Sequence, residues 1–143
     1  MIEISLPIRL QSPNVKEHWT KTHKRNKRIA QVIGFSLRTN SELSRIVQNI
    51  TMGTSGWLSG LFPPKGLKIK ITLIKRGRAF DYDNFVYAMK SVRDSVSSFF
   101  FPTLAPGQAD CQKCFEFHYL QEKGGSGIKI LLEFFDQKGE EIT

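Results

Sequence analysis

Two aspartates, Asp81 and Asp83, are separated by a single residue in a chain that is otherwise strongly basic. Paired carboxylates are hard oxygen ligands, and Mg²⁺ binds to one or two of them while water and substrate phosphate complete its octahedral coordination. Several lysines and arginines lie close to the pair in sequence. The spacing therefore predicts a Mg²⁺ site that faces a polyanion.

An alternating strand is predicted at 67–75, directly before the two aspartates. Its apolar face comprises Leu67, Ile69, Ile71 and Leu73, and polar residues lie between them. A period of two is typical of a half-buried strand. We expect Asp81 and Asp83 to project in the same direction from the end of this strand.

An amphipathic helix is predicted after the aspartates, from about Asn84 to Phe99. Its apolar face comprises Phe85, Ala88, Met89, Val92, Val96 and Phe99. The opposite stripe comprises Asp83, Tyr87, Lys90 and Asp94, at helical intervals. A purely structural interpretation is also open, in which Asp83 caps the helix and Lys90 pairs with Asp94 for ~0.3–0.5 kcal/mol.

The densest positive patch lies between residues 16 and 28. Its predicted nucleic-acid contacts are Lys16, His18, Lys21, Lys24, Arg25, Lys27 and Arg28. Apolar residues recur at helical spacing from about Thr20 to Arg38, so the patch is predicted to run from a loop into the first turns of a helix. Positive charge opposes the dipole at a helix N-terminus, which favours an external anion. The alternative is a solvated charged face.

The composition of the chain limits the classes of protein to which it can belong. The 143 residues, 40% of them apolar, suit one domain with a single core. Lys and Arg number 21 against 13 Asp and Glu, which gives a net charge of +8, typical of proteins that meet nucleic acid or an anionic surface. No apolar run approaches the ~18 residues of a membrane span. We expect no membrane association and a cytoplasmic location.

The remaining segments are predicted as follows. Strands are expected at 2–10, 113–121 and 127–135, the last two forming a glycine-containing hairpin. A turn is expected at Pro13 and Asn14, and a short helical piece with an irregular connection at 40–66. Apolar residues of that connection, namely Trp57, Leu58, Leu61 and Phe62, suggest either a flap over the core or a surface for a second subunit. The loop 100–113 carries Asp110, and residues 136–143 are predicted to form a frayed tail.

The only two cysteines, Cys111 and Cys114, form a single CxxC. Without a second pair this spacing is a weak signal for zinc or for redox chemistry. His118 could supply a third ligand. Its place in the alternating pattern of residues 115–119, however, is that of a residue on the polar face of a strand.

The string Asp81-Tyr82-Asp83-Asn84, followed by Lys90-Ser91-Val92-Arg93-Asp94, resembles the RusA-type endodeoxyribonucleases that resolve Holliday junctions. The hallmark of that family is DxDN at the start of a helix that carries Lys-x-x-x-Asp. Looser similarity extends over most of the chain. The resemblance implies an α+β fold with a mixed sheet packed with helices, and a homodimer that cuts four-way DNA junctions with Mg²⁺, or alternatively Mn²⁺, as cofactor.

The resemblance also implies roles for individual residues. Asp81 and Asp83 match the metal-binding aspartates, Lys90 matches the essential lysine, and Asp110 is the candidate for the third metal ligand. Asn84 and Asp94 match motif positions that either support the metal ligands or are structural. The helix has three more residues before the lysine than the family archetype, so Tyr87 occupies the lysine position by counting. Lys90 returns to the same face about 4.5 Å further along.

Three function classes are therefore open. The first is a metal-dependent endonuclease that nicks branched DNA through metal-activated water. The second is a catalytically inactive protein that binds branched nucleic acid, in which Asp81 and Asp83 only cap a helix. The third is a small interaction module stabilised by zinc on Cys111, Cys114 and His118.

Overall fold

A computed structural model describes residues 1–12, 16–51 and 66–143. The turn predicted at Pro13 and Asn14 and most of the predicted irregular connection, with its four apolar residues, lie outside the described residues. The described elements, in order, are β1 Ile2–Leu6, α1 Trp19–Thr39, α2 Ser41–Thr51, β2 Lys68–Arg76, α3 Tyr82–Ala88, α4 Lys90–Phe100, α5 Pro106–Ala109, β3 Phe115–Glu122, β4 Ile128–Phe135 and β5 Glu141–Ile142.

The strands form one mixed sheet in the order β1-β4-β2-β3, with β5 paired to β4. Strands β2 and β3 are parallel, and the other pairs are antiparallel. Helices α3, α4 and α5 make the crossover that a parallel pair requires. The prediction of a single α+β domain with a mixed sheet packed against helices is confirmed.

The hairpin predicted for the last two long strands is wrong, because β2 lies between β3 and β4. Glu122 pairs with Arg76 on one side of β2, and Ile128 pairs with Lys75 on the other. The glycine-containing connection therefore crosses the end of β2 instead of making a tight turn. Gly127 has a φ of 87°, and a Cβ there would come within 2.3 Å of the carbonyl oxygen of Leu6.

The core lies between the helices and one face of the sheet. Its helical side includes Ile29, Ile33 and Leu37 of α1 and Val92, Val96 and Phe100 of α4, all buried. Its sheet side includes Ile69, Ile71, Leu73, Ile130 and Leu132, also buried. Among the described helices, α1 packs most extensively on α4. This contact places the N-terminal half of the chain beside the helix that carries Lys90.

Three boundaries differ from the sequence prediction. Strand β1 ends at Leu6, since Pro7 has no N–H to donate. The predicted single helix is interrupted at Met89, which has φ −79° and ψ −5° and separates α3 from α4. The predicted frayed tail instead turns back through a loop in which Asp136 Oδ1 accepts from two backbone N–H groups, and β5 then pairs with β4.

No helix within the described parts of the chain combines the length and the apolar character that crossing a membrane requires.

Candidate functional site

The segment that leads to Asp81 is attached to the sheet by Gln121 of β3. The Gln121 Oε1 accepts from the Phe80 N–H at 2.8 Å, and its Nε2 donates to the Phe80 carbonyl at 3.0 Å. One side chain thus satisfies both backbone groups of Phe80, as a neighbouring strand would. The start of α3 is therefore fixed relative to the parallel strand pair.

Lys75 supports the same segment from β2. Its side chain is buried, its ammonium donates to the carbonyl of Arg78, and its Nζ lies 4.3 Å from the centre of the Phe80 ring. Burial lowers the pKa of Lys75, while the carbonyl and the aromatic face offset part of the cost of burying the charge. Residues 77–81 are held by these two anchors.

Asp81 occupies the N-cap position of α3, and Asp83 lies in its first turn. The Asp81 carbonyl accepts the first helical hydrogen bond, from Phe85 at 2.9 Å, but its carboxylate makes no capping bond. Neither carboxylate makes a hydrogen bond or ion pair with any described residue. The interpretation that Asp83 caps the helix is therefore wrong, and both carboxylates are exposed without a partner among the described residues.

The prediction that the two aspartates extend from the end of a strand is also wrong. Strand β2 ends at Arg76, and the aspartates follow only after the segment that holds Phe80. The two aspartates therefore lie at the N-terminus of α3 and not at the end of β2.

A recess of about 580 Å³ lies between α3, α4, the loop after α5 and β3. Its lining comprises Tyr82, Asp83, Val86, Tyr87, Lys90, Arg93, Asp110 and Tyr119. Three of the four predicted catalytic residues, Asp83, Lys90 and Asp110, are thereby brought to one cavity. Asp81 is not part of this lining.

Arg93 was given no role by sequence reasoning, yet it connects the elements around the recess. Its Nη1 donates to the Tyr119 hydroxyl at 2.9 Å, and its Nη2 donates to the Asp110 carbonyl at 3.2 Å. Its Nε lies 3.1 Å from Asp110 Oδ2, and the guanidinium carbon lies 4.1 Å from the centre of the Phe117 ring. This planar, multiply bonded geometry requires arginine and not lysine.

Burial of the Arg93 guanidinium favours its neutral form, but the hydrogen bond to Tyr119 and the charge of Asp110 outweigh that effect. The pKa of Arg93 is raised as a result. A fixed cation therefore lies permanently in the recess beside Asp83 and Asp110.

Lys90 and Asp94 make the predicted pair on α4, with Nζ and Oδ2 3.6 Å apart. Lys90 is 64% exposed, whereas Asp94 Oδ1 is buried and has no hydrogen-bond partner among the described residues. The lysine is thus a largely exposed cation that is paired with one carboxylate. Asn84 is half-buried in the first turn of α3 and does not line the recess.

The predicted basic patch lies at the start of α1, as expected. His18 is the N-cap, and its Nδ1 accepts from the Thr20 N–H at 3.3 Å. The exposed cations of the patch are Lys16, Lys21, Lys24, Lys27 and Arg28. Arg25 differs, because it is half-buried and bonded to Glu17. Five side chains are therefore available to phosphates, and Arg25 is engaged within the protein.

A second cavity, a groove of about 710 Å³, lies between α1 and α4. Its lining includes Arg25 and Arg38 of α1 and Lys90 and Asp94 of α4. Tyr87 and Lys90 line both the groove and the recess. The two cavities are therefore adjacent, and each of them is lined by cations.

The fit of a divalent ion to these residues is partial. Within residues 1–12, 16–51 and 66–143, no three His, Cys, Asp or Glu side chains come close enough together to hold a metal ion. Asp83 and Asp110 line the same recess, but Asp110 is bound by Arg93. Mg²⁺ often uses only one or two carboxylates and keeps water or phosphate as its other ligands, so this pair meets the minimum requirement.

The cysteines and His118 do not form a zinc site among the described residues. Cys114 is buried in the core, and burial raises the pKa of its thiol to about 11. Cys111 is exposed, and His118 Nε2 lies 2.8 Å from Glu116 Oε1. Cys114 and His118 are therefore engaged in the core and with Glu116 respectively.

No protein-family model matches this chain, and no curated protein or solved structure matches it either. The resemblance of the motif between Asp81 and Asp94 to RusA-type nucleases therefore stays a prediction.

Proposed function

We propose that this protein is a Mg²⁺-dependent endonuclease of the RusA type that nicks branched DNA such as Holliday junctions. The observation that supports this most is the recess that gathers Asp83, Lys90, Asp110 and Arg93. Opposite charges within one cavity suit a bound cation on one side and a phosphate on the other. The exposed carboxylate of Asp81, two residues before Asp83, is a further ligand in this proposal.

Asp83 and Asp110 would hold the ion, with Asp81 completing the set. A bound Mg²⁺ supplies a water of lowered pKa and neutralises charge at the leaving oxygen. The protein's own contribution is to keep the carboxylates in place. Arg93 does this for Asp110, and Gln121 does it for the segment before Asp81.

Lys90 and Arg93 supply the positive charge that a phosphodiester needs during hydrolysis. Arg93 is fixed by Tyr119 and Asp110, so it presents a preorganised charge. Lys90 is largely exposed, so its ammonium can follow a phosphate oxygen as charge develops.

The exposed cations at the start of α1 bind the neighbouring phosphates in this proposal. Phosphate contacts carry no sequence information, so selectivity comes from the shape of the DNA, and affinity falls steeply with salt. A homodimer would present one recess to each of two opposed strands of a two-fold junction. The proposal keeps the expected cytoplasmic location.

The test is cleavage of an end-labelled four-way junction beside a matching linear duplex, in Mg²⁺ or EDTA. The double variant Asp81→Asn, Asp83→Asn should lose Mg²⁺-dependent paired nicks in the junction. The matched control, Glu42→Gln with Glu140→Gln, removes two exposed carboxylates outside the recess and should cut normally. Parental cutting by a folded aspartate double variant would overturn the metal assignment.

A second candidate is a protein that binds branched DNA without cutting it. The ion pair between Arg93 and Asp110 favours it, because that carboxylate is already neutralised inside the protein. Tight junction binding without nicks in either Mg²⁺ or Mn²⁺ would support this candidate over the nuclease.

A further inference from the structure

Tyr87 is the aromatic side chain that lines both cavities. It is 69% exposed, and its ring and hydroxyl make no hydrogen bond, ion pair or ring contact with any described residue. The neighbouring Tyr82 is also exposed, but its ring packs edge-on against Phe85, with centroids 6.5 Å apart. Tyr87 is therefore the aromatic surface of the site that no described ring covers.

Exposure alone carries no argument, because isolated exposed aromatics are ordinary on protein surfaces. Phe35 of α1 is 63% exposed and lines neither cavity. What distinguishes Tyr87 is the charge around it. Arg93 lines the recess, Arg38 lines the groove, and Lys90 lines both.

An exposed aromatic ring shared by two cavities that both contain cations suits a nucleic-acid strand, in which a base lies between two phosphates. Proteins that bind single strands combine a positive groove with aromatic rings on which bases stack.

We propose that Tyr87 stacks on an unpaired base at the branch point of the DNA, while the phosphate on one side of that base enters the recess and the next lies in the groove between α1 and α4. This inference rests on the proposed function, which supplies branched DNA as the ligand. It adds a reason why the protein selects branched DNA over an intact duplex. An intact duplex keeps its bases stacked on one another, so it offers no base to Tyr87. A junction with unpaired bases at its centre does.

The experiment is anisotropy binding of a four-way junction and a matching duplex in EDTA, where no cleavage occurs. Tyr87→Leu removes the ring, Tyr87→Phe keeps it, and Phe35→Leu removes an equally exposed ring outside the site. Tyr87→Leu should bind the junction about tenfold more weakly, as expected for one lost base-stacking contact. Its duplex affinity should not change, and Tyr87→Phe and Phe35→Leu should bind both DNAs like the parent.

A 2-aminopurine at the branch point supplies a direct readout of stacking. Its fluorescence should change on binding of the parent and of Tyr87→Phe but not of Tyr87→Leu. Parental junction affinity of Tyr87→Leu, or an equal loss of affinity for junction and duplex, would overturn the inference.

Failure of this inference is distinguishable from failure of the proposed nuclease. Mg²⁺-dependent junction cutting that is unchanged in Tyr87→Leu overturns the stacking role and leaves the nuclease standing. Loss of junction selectivity in Tyr87→Leu supports the stacking role even if the parent never cuts.

Discussion

Arg93 binds Asp110 at two points, through the side-chain carboxylate at 3.1 Å and through the backbone carbonyl at 3.2 Å. The two residues lie on different elements, α4 and the loop after α5. The position of the third candidate metal ligand is thus set by a residue of the helix that carries Lys90. Anything that moves Arg93 also moves Asp110.

Replacing Arg93 with Met should destabilise the protein by about 2 kcal/mol, because it leaves Tyr119 and the partly buried Asp110 carboxylate without their donor. Arg93→Lys should recover only part of this loss, since a single ammonium cannot make the three contacts. Urea unfolding measures both changes. Lys90→Met is the control and should cost less than about 0.5 kcal/mol, because its pair with Asp94 is largely exposed.

The two aspartates of the DxD pair should contribute unequally to Mn²⁺ binding. Asp83 lines the recess and Asp81 does not, so Asp83→Asn should weaken binding by more than Asp81→Asn. Isothermal titration with Mn²⁺ in the absence of DNA measures this without relying on activity. Equal losses in the two variants would contradict the prediction that the ion lies in the recess.

Gln121→Leu should destabilise the protein by about 1–2 kcal/mol, since it removes two hydrogen bonds from the backbone of Phe80. Hydrogen exchange at the Phe80 amide should accelerate. Gln121→Glu is the sharper comparison, because a carboxylate still accepts from the Phe80 N–H but cannot donate to its carbonyl. If Phe80 exchange is unchanged in Gln121→Leu, the segment before Asp81 is held by other contacts.

Because the thiol of Cys114 is buried, we expect the free energy of unfolding to fall at high pH. Burial raises the pKa of its thiol from 9.0 to about 11, so between these values the folded protein keeps a proton that the unfolded chain loses. The stabilisation present below pH 9 is therefore lost as pH rises towards 11, by an amount on the order of 2 kcal/mol. Unfolding in a Cys111→Ser background should show this fall, and adding Cys114→Ala should remove it.

Local periodicity predicted the buried faces well. Phe85, Met89, Val92 and Val96 are buried as their helical spacing indicated, and the period-two residues of β2 and β4 line the core. These patterns are readable because burial of one face is a local requirement on the sequence.

The contacts that shape the site could not be read in the same way. Arg93 meets Tyr119, 26 residues later, and Phe80 meets Gln121, 41 residues later. Nothing in the local sequence distinguishes Tyr119 and Gln121 from the other polar residues of β3. The order of the strands was missed for the same reason, because adjacency in sequence favoured a hairpin between β3 and β4 that β2 occupies.

The central position of β2 has a consequence for how the chain reaches its native state. Strand β2 pairs with β3 and β4, and β1 pairs with β4. Both β3 and β4 follow the crossover helices in sequence. During synthesis, β1 and β2 leave the ribosome with unpaired edges, because β3 and β4 are made later. Sheet assembly is therefore a late, non-local event, which slows folding. A nascent chain that stalls before Phe115 exposes two apolar strand edges and is prone to aggregation.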